Sequence, residues 1–212
     1  DQPTYSGTYF QRATALPATT ILRNDGTYTV YQGLEFTARK RLSNKWMLNG
    51  SFTYNHGIFW EPQADRDYLD PTNVALVNGQ SDGVVPWVAK LSGLYTLPWN
   101  IGVSAFLNTR SGFTYNTTIQ SPTRTGGGGT VNVILQPNGA LTYPTFTELD
   151  LNVDKTIPLG AGRRLVLQMA VFNLTNAATV FSRVTRQDVS NANNVTNVLA
   201  PRVARFGIRV NF

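Results

Sequence analysis

Three closely spaced aspartates, Asp65, Asp67 and Asp70, come nearest to a metal site in their type and spacing. Calcium prefers several carboxylate and carbonyl oxygens, so this segment is a weak calcium candidate. It has no glycine at the turn position and no glutamate at the EF-hand distance, which favours a solvated acidic loop. We therefore expect neither a metal nor a cofactor.

The residues that could support hydrolysis or phosphate binding are isolated. His56 is the only histidine, and no serine and carboxylate are arranged around it in the sequence. The glycine run at 126–129 is followed by neither a Lys-Ser/Thr pair nor a helix pattern, so it indicates a flexible loop tip rather than a phosphate cradle. The sequence thus predicts no enzymatic activity.

The composition limits the class of protein. Hydrophobic residues make up 42% and charged residues 14% of the chain, and soluble domains carry about 25% charged residues. No segment reaches the roughly 18 apolar residues of a membrane helix, which leaves a closed β-barrel as the way to face lipid. The net charge of +6 is spread along the sequence without a basic run, so we expect no nucleic-acid partner. Cysteine is absent, and residues 1–20 show no signal peptide, which predicts a mature chain or a fragment.

Several segments of the chain alternate between apolar and polar side chains with a period of two. This pattern predicts seven strands, at about 28–42, 46–60, 87–97, 101–113, 149–157, 165–171 and 202–212. Phe113 continues the apolar face of the fourth strand, and a weaker strand near 5–12 would make the count even. We therefore predict an antiparallel transmembrane β-barrel with about eight strands in residues 1–212.

The connections alternate in length. Short turns follow Leu42, Leu97 and Ile157, and the long polar segments lie at about 61–85, 116–144 and 176–200. Short periplasmic turns and long extracellular loops are typical of outer-membrane barrels. Trp46, Trp60, Trp87 and Trp99 fall at strand ends or in turns, where interfacial aromatic girdles form. The alternative is that these tryptophans anchor the core of a soluble sandwich.

Charged residues of both signs lie on the predicted inward face. In a barrel they are expected to pair across strands, to contact a plug or to line a solvated path. They are Glu35, Arg39, Arg41, Lys90, Arg110, Glu148, Asp150, Asp154, Arg205 and Arg209.

Two features of the sequence resemble those of known outer-membrane proteins. Phe206, Ile208, Val210 and Phe212 alternate up to a terminal aromatic, which resembles the signal read by the barrel-assembly machinery. The segments 147–155, 164–168 and 171–176 resemble the final hairpin of TonB-dependent receptors, including the Oar-like branch. The Phe-Asn-Leu-x-Asn sequence at 172–176, followed by a long loop and a last strand, carries this resemblance.

The resemblance implies the C-terminal portion of a larger barrel, since such receptors have about 22 strands and a plug domain. It also implies a bacterial (Gram-negative) outer-membrane location, nutrient uptake, and the lipid bilayer, barrel-assembly machinery, a TonB system and a plug domain as partners. Substrate is expected to contact loop aromatics near the barrel mouth: Trp60, Tyr68, Tyr115 and Tyr143. The alternative is a complete small barrel with a structural, adhesive or assembly-subunit role.

Overall fold

A computed structural model describes residues 5–15, 28–60, 70–80 and 84–212. Strands dominate its regular structure, which confirms the predicted all-β class. In chain order the strands are β1 (Tyr28–Ser43), β2 (Trp46–Trp60), β3 (Gly79–Gln80), β4 (Trp87–Leu97), β5 (Ile101–Arg110), β6 (Thr114–Tyr115), β7 (Thr118–Gln120), β8 (Asn132–Ile134), β9 (Leu141–Thr142), β10 (Phe146–Gly160), β11 (Arg163–Phe172), β12 (Val180–Arg183), β13 (Val195–Val198) and β14 (Val203–Asn211). Single 3-10 turns occur at Pro71–Asn73 and Pro98–Asn100. No helix among the described residues has the length and apolar character needed to cross a membrane.

The seven long strands form one antiparallel meander in the order β1-β2-β4-β5-β10-β11-β14, and the short β3 extends β2 on the same sheet. Strands that are neighbours in the sheet are also consecutive long strands in the chain, as short connections favour. Among the described residues, β1 pairs only with β2 and β14 only with β11. The sheet therefore has two free edges, and the described strands do not close a barrel by themselves.

The weak strand predicted near 5–12 is wrong. Residues 5–15 contain no strand and lie against the long loops. The Tyr5 hydroxyl donates to Gln187 Oε1 at 3.3 Å, and the Phe10 amide donates to Thr72 Oγ1 at 3.1 Å. These loop contacts hold the segment away from the sheet, so the alternation there does not produce an eighth long strand.

The register places apolar and polar residues on opposite sides of the sheet, as the period of two predicts. Leu34 pairs with Tyr54, which in turn pairs with Trp87. Across the other half, Val153 pairs with Met169, which pairs with Phe206. We call this side the apolar face; it carries the even-numbered residues of β1, β2 and β14 and the odd-numbered residues of β4, β5, β10 and β11. The other side is the polar face.

Phe113 is an exception to the predicted faces. β5 ends at Arg110, so the alternation no longer fixes the direction of residues beyond it. The Arg110 guanidinium, on the polar face, lies 4.4 Å from the centre of the Phe113 ring. It also lies 5.3 Å from the ring of Phe146 and 5.9 Å from that of Phe181. Phe113 thus belongs to an arginine-centred aromatic cluster, and its assignment to the apolar face is wrong.

Glycines allow leucines of neighbouring strands to pack closely on the apolar face. Leu91 is paired with Gly50, and Leu48 is paired with Gly93. A Cβ atom at Gly50 would lie 3.3 Å from Leu91 Cδ1, and one at Gly93 would lie 3.4 Å from Leu48 Cδ1. Large and small side chains therefore alternate reciprocally between β2 and β4, which fills the face without bulging the strands.

One end of the sheet, the turn end, carries the short connections. Each of the three turns contains consecutive residues with positive φ: Asn44 and Lys45, Trp99 and Asn100, and Ala161 and Gly162. Two-residue turns with positive φ twist in the same sense as the strands they join, which makes tight hairpins favourable. The long connections all leave from the opposite end, the loop end. The predicted sorting of connections by length is therefore present.

The described parts of the long connections pack together as a loop cap. Three small hairpins, β6-β9, β7-β8 and β12-β13, form within them. The Gln187 amide donates to the Thr118 carbonyl at 2.8 Å, and the Asn138 amide donates to the Leu76 carbonyl at 2.9 Å, which joins all three connections. Gly112 has room only for hydrogen, because a Cβ atom there would overlap the Tyr143 carbonyl. Much of the buried set lies in or beside this cap: Thr114, Thr117, Ser121, Val133, Phe146, Asn173 and Gln187.

Candidate functional site

The apolar face extends over all seven long strands; it is exposed on the outer strands and half-buried on the central strands β5 and β10. Phe36 on β1 is 59% exposed, and Phe206 and Ile208 on β14 are each 75% exposed. Strands are about 4.8 Å apart, so seven of them span roughly 29 Å. Contiguous exposed apolar patches beyond a few hundred Å² are uncommon on soluble monomers and indicate an interaction surface. The face is a surface of this kind.

All four tryptophans lie at the borders of the apolar face. Trp46 begins β2 and Trp99 lies in the turn after β4, both at the turn end; Trp60 and Trp87 lie at the loop end. Tyr54 is paired with Trp87, and eight residue steps separate it from Trp46. Those steps span about 27 Å along the strand, or roughly 21 Å of depth at a tilt of about 40°. This is close to the apolar band of roughly 25 Å on outer-membrane barrels.

Two lysines on the apolar face bend their ammonium groups toward the turn end. Lys40 Nζ donates to Ser43 Oγ at 2.8 Å and to the Trp46 carbonyl at 3.1 Å, and it lies 3.8 Å from the centre of the Trp46 ring. In a separate hairpin, Lys155 Nζ donates to the Trp99 carbonyl. The aliphatic stems stay on the face while the charged ends leave it, which is the geometry of snorkelling lysines.

β14 places the predicted assembly-signal residues as the alternation requires. Phe206, Ile208 and Val210 lie on the apolar face, and Phe212, just after the strand, is 99% exposed. β14 is also an edge strand, so one side of its backbone is unpaired among the described residues. An unpaired edge with an apolar face can accept a further strand. Recognition by the assembly machinery stays a prediction.

The inward charges predicted from the sequence lie on the polar face, but those among the described residues do not pair with one another. Within the described part of the chain, ion pairs join Arg124 to Asp70 and Arg186 to Asp188, all four in the loop cap. Lys90 and Glu148 share a row of the sheet, with Asn108 between them. Their separation by a full strand explains why cross-strand pairing fails there: directly opposed residues are mostly uncharged.

The proposed substrate aromatics are divided between two places. Tyr115 and Tyr143 stack in the loop cap with ring centres 4.3 Å apart, and the Tyr143 hydroxyl accepts from the Arg183 amide at 3.2 Å. Trp60 packs instead against Tyr28, with ring centres 5.3 Å apart, at the border of the apolar face. Tyr68 lies outside the described residues. The structure therefore brings together two of the four predicted residues, Tyr115 and Tyr143, and places Trp60 apart from them.

Asp70 has a structural partner for each carboxylate oxygen. Oδ1 accepts from the Thr72 amide at 3.2 Å, and Oδ2 accepts from Arg124 Nη1 at 2.6 Å. Burial opposes ionisation, but these hydrogen bonds outweigh it and lower the pKa of Asp70. Arg124 also donates to the carbonyls of Phe10 and Gly128, at 3.0 and 2.6 Å. Asp65 and Asp67 lie outside the described residues, among which no group of three potential ligands forms a metal site.

Asn173, in the Phe-Asn-Leu-x-Asn sequence, organises the base of the last long loop. It is 2% exposed and has a positive φ of 49°. Its Nδ2 donates to the carbonyls of Ala177 and Ala200 at 2.9 and 2.8 Å, and its Oδ1 accepts from the Ala177 amide at 2.9 Å. Its own amide donates to Asp150 Oδ1 at 2.9 Å. The side chain of Asn173 thus joins both ends of the loop, and its backbone amide joins the loop base to β10.

Asn176 repeats this arrangement on a smaller scale. It too has a positive φ, 53°, and its Oδ1 accepts from the Arg202 amide at 3.0 Å just before β14. Asparagine tolerates left-handed backbone and bonds to nearby main chain, which explains the residue type at both positions. Sequence reasoning used the motif as a family resemblance and missed this role.

His56 lies on the apolar face of β2 and is paired with Gln32. The sequence analysis also did not predict the contacts that Lys40, Lys155 and Arg124 make. Lysines within alternating strands give a local signal, because they interrupt the apolar positions. Arg124 gave none, since its partners are distant in sequence.

The comparisons with known proteins add no relative: no family model matches the chain, and no curated protein matches its sequence.

Proposed function

We propose that this chain is the C-terminal barrel portion of a TonB-dependent outer-membrane receptor that takes up a nutrient. The observation that carries the membrane part of the proposal is the apolar face, which is continuous over seven strands and bordered by tryptophans at both ends. Backbone groups in lipid must be paired within the protein, so an antiparallel sheet with this face requires a barrel.

The free edges of the sheet support a larger barrel over a complete small one. β1 and β14 do not pair with each other among the described residues, and lipid does not tolerate an unpaired edge. Additional strands, from the same protein or from another chain, would satisfy both edges. The Phe-Asn-Leu-x-Asn resemblance supports the first source, because that motif precedes the last strand of the receptor family.

The loop cap supports recognition at the end with the long connections. The stacked Tyr115 and Tyr143 rings offer a flat aromatic surface there, and the Arg110 guanidinium lies over three phenylalanine rings nearby in the fold. Trp60 and Tyr68 complete the set of residues proposed to contact substrate. The interior path, the plug and the energy-coupling system would come from parts of the receptor other than residues 1–212.

The first test is the mass of the native protein, taken from membranes without heating or protease. A mass several times the 23.4 kDa of this sequence would support the receptor. A mass near 23.4 kDa would refute it in favour of a small barrel with a structural or adhesive role.

A second test concerns the substrate surface. Replacing 116–144 in the native-length protein should weaken competition by the transported nutrient, whereas replacing the turn at Pro98–Asn100 should not. Unchanged competition after the loop replacement would refute the assignment of Tyr143 and, with it, of the stacked surface that Tyr143 forms with Tyr115.

A further inference from the structure

The fold collects positive charge at the turn end. Among the described residues, eight of the 16 basic side chains lie in the short turns or the adjoining strand ends, together with one of the six acidic ones, Asp154. These residues give the turn end a formal charge of +7, whereas the other described residues sum to +3. The eight are Arg39, Lys40, Arg41, Lys45, Lys155, Arg163, Arg164 and Arg209.

The apolar face shows the same asymmetry in a stricter form. Along the seven long strands, its ionised side chains are Lys40 on β1, Lys155 on β10 and Arg163, the first residue of β11. All three are cations at the turn end, and every carboxylate of these strands is on the polar face. Lys45, which is exposed in the first turn, adds a fourth cation.

The two lysines are held at the level where a headgroup layer would meet the apolar face. Lys40 Nζ is fixed by Ser43 and the Trp46 carbonyl, and Lys155 Nζ by the Trp99 carbonyl. Trp46 and Trp99 are the two tryptophans of this border, and aromatic rings of this kind favour the headgroup region. The cationic side chains and the tryptophans of the turn end thus lie at the same border of the apolar face.

We propose that the turn end binds the headgroups of anionic phospholipids through Lys40, Lys45, Lys155 and Arg163. This inference rests on the proposed membrane function and adds to it the lipid class of one leaflet. The occupant follows from charge complementarity: an apolar surface edged only by cations fits acyl chains that end in phosphate groups without a compensating positive charge. A zwitterionic headgroup would leave these cations without net electrostatic attraction.

The test uses the native-length protein in neutral detergent, titrated at low salt with short-chain phosphatidylglycerol and phosphatidylcholine, with bound lipids counted by native mass spectrometry. In the variant K40Q/K45Q/K155Q/R163Q, the preference for phosphatidylglycerol should fall at least about tenfold, because each cation near an anionic surface contributes a several-fold effect. The matched control R12Q/K90Q/R186Q/R205Q removes four charges elsewhere and should change the preference less than about twofold.

Equal preferences in the two quadruple variants would overturn the inference. Should the first variant misfold, Lys45→Gln and Arg163→Gln alone change exposed side chains, and each should reduce the preference about threefold or more. Reconstitution separates the two proposals. Insertion into phosphatidylcholine vesicles with no preference for phosphatidylglycerol would refute only the lipid assignment, whereas failure to enter either kind of vesicle would refute the membrane function as well.

Discussion

Replacing Asn173 with alanine should release the last long loop from the sheet. The change removes two hydrogen bonds from Nδ2, at 2.9 and 2.8 Å, one to Oδ1 at 2.9 Å, and a longer one from Thr175 Oγ1 to Oδ1 at 3.4 Å. Each of the three short hydrogen bonds contributes about 1 kcal/mol net, giving about 3 kcal/mol. Alanine at the φ of 49° adds about 1 kcal/mol, because its Cβ disfavours left-handed backbone. The expected loss is about 4 kcal/mol.

The loop itself offers the assay. Arg183 and Arg186 are trypsin sites between the two points that Asn173 joins. If cleavage follows local opening, a loss of about 3–4 kcal/mol raises the cleavage rate at least about a hundredfold. Native-state trypsin digestion of the protein in neutral detergent, with mass spectrometry of the fragments, measures this rate.

Two variants separate the loss of the hydrogen bonds from the strain of the backbone at residue 173. Asn173→Gly removes the same hydrogen bonds but tolerates positive φ, so it should be about 1 kcal/mol less destabilising than Asn173→Ala. Asn191→Ala changes an exposed asparagine in the same loop and should leave the cleavage rate within about twofold. An increase of less than about fivefold for Asn173→Ala would refute the conclusion that this side chain holds the loop.

Three further predictions concern the cap, its charges and the apolar face. Gly112→Ala should destabilise the protein by about 3 kcal/mol in urea unfolding, because the added methyl group overlaps a backbone carbonyl. In the control Gly57→Ala, the methyl group meets only a valine side chain at 3.4 Å, so the loss should be about 1 kcal/mol or less. Equal losses in the two variants would contradict the packing around Gly112. Hydrogen bonds from its arginine partner lower the pKa of Asp188 from 3.8 to about 2. This depressed pKa stabilises the folded cap above pH 3.8, and the contribution is lost as pH falls toward 2. Protection of the cap in hydrogen exchange should therefore fall over that range, and less so in Asp188→Asn; identical profiles would count against the ion pair. Leu91→Arg should cost about 2–4 kcal/mol in vesicles if the apolar face contacts lipid, while Ser92→Arg, on the polar face, should cost less than about 1 kcal/mol; similar values would argue against a lipid-facing sheet.

Local regularity explains which features were predictable. Alternation along a strand depends only on the backbone, whose successive side chains point to opposite sides. The segment 46–60 was therefore predicted with the same bounds as β2, and the last strand within one residue of β14. Phe113 was misplaced because this rule ends with the strand, and contact with Arg110 then decides where the ring lies.

The loop cap was beyond local reasoning. Residues 5–12 alternate enough to suggest a strand, but Phe10 bonds instead to Thr72 and Arg124, which are distant along the chain. The predicted pairing of inward charges failed for a related reason. Alternation assigns a charge to a face, but the register decides which residue lies opposite, and Lys90 is paired with Ser51 and Asn108.

The seven long strands, their two faces and the sorting of short and long connections follow from the sequence alone, because all three depend on neighbours within a few residues. The tertiary structure decided the open edges, the stacked pair of Tyr115 and Tyr143, and the loop base held by Asn173. It also decided the charge of the turn end. Lys40 and Arg163 are far apart in the chain and look scattered there, but an antiparallel meander returns every second strand end to the same border. Only that arrangement gathers separate charges into one surface.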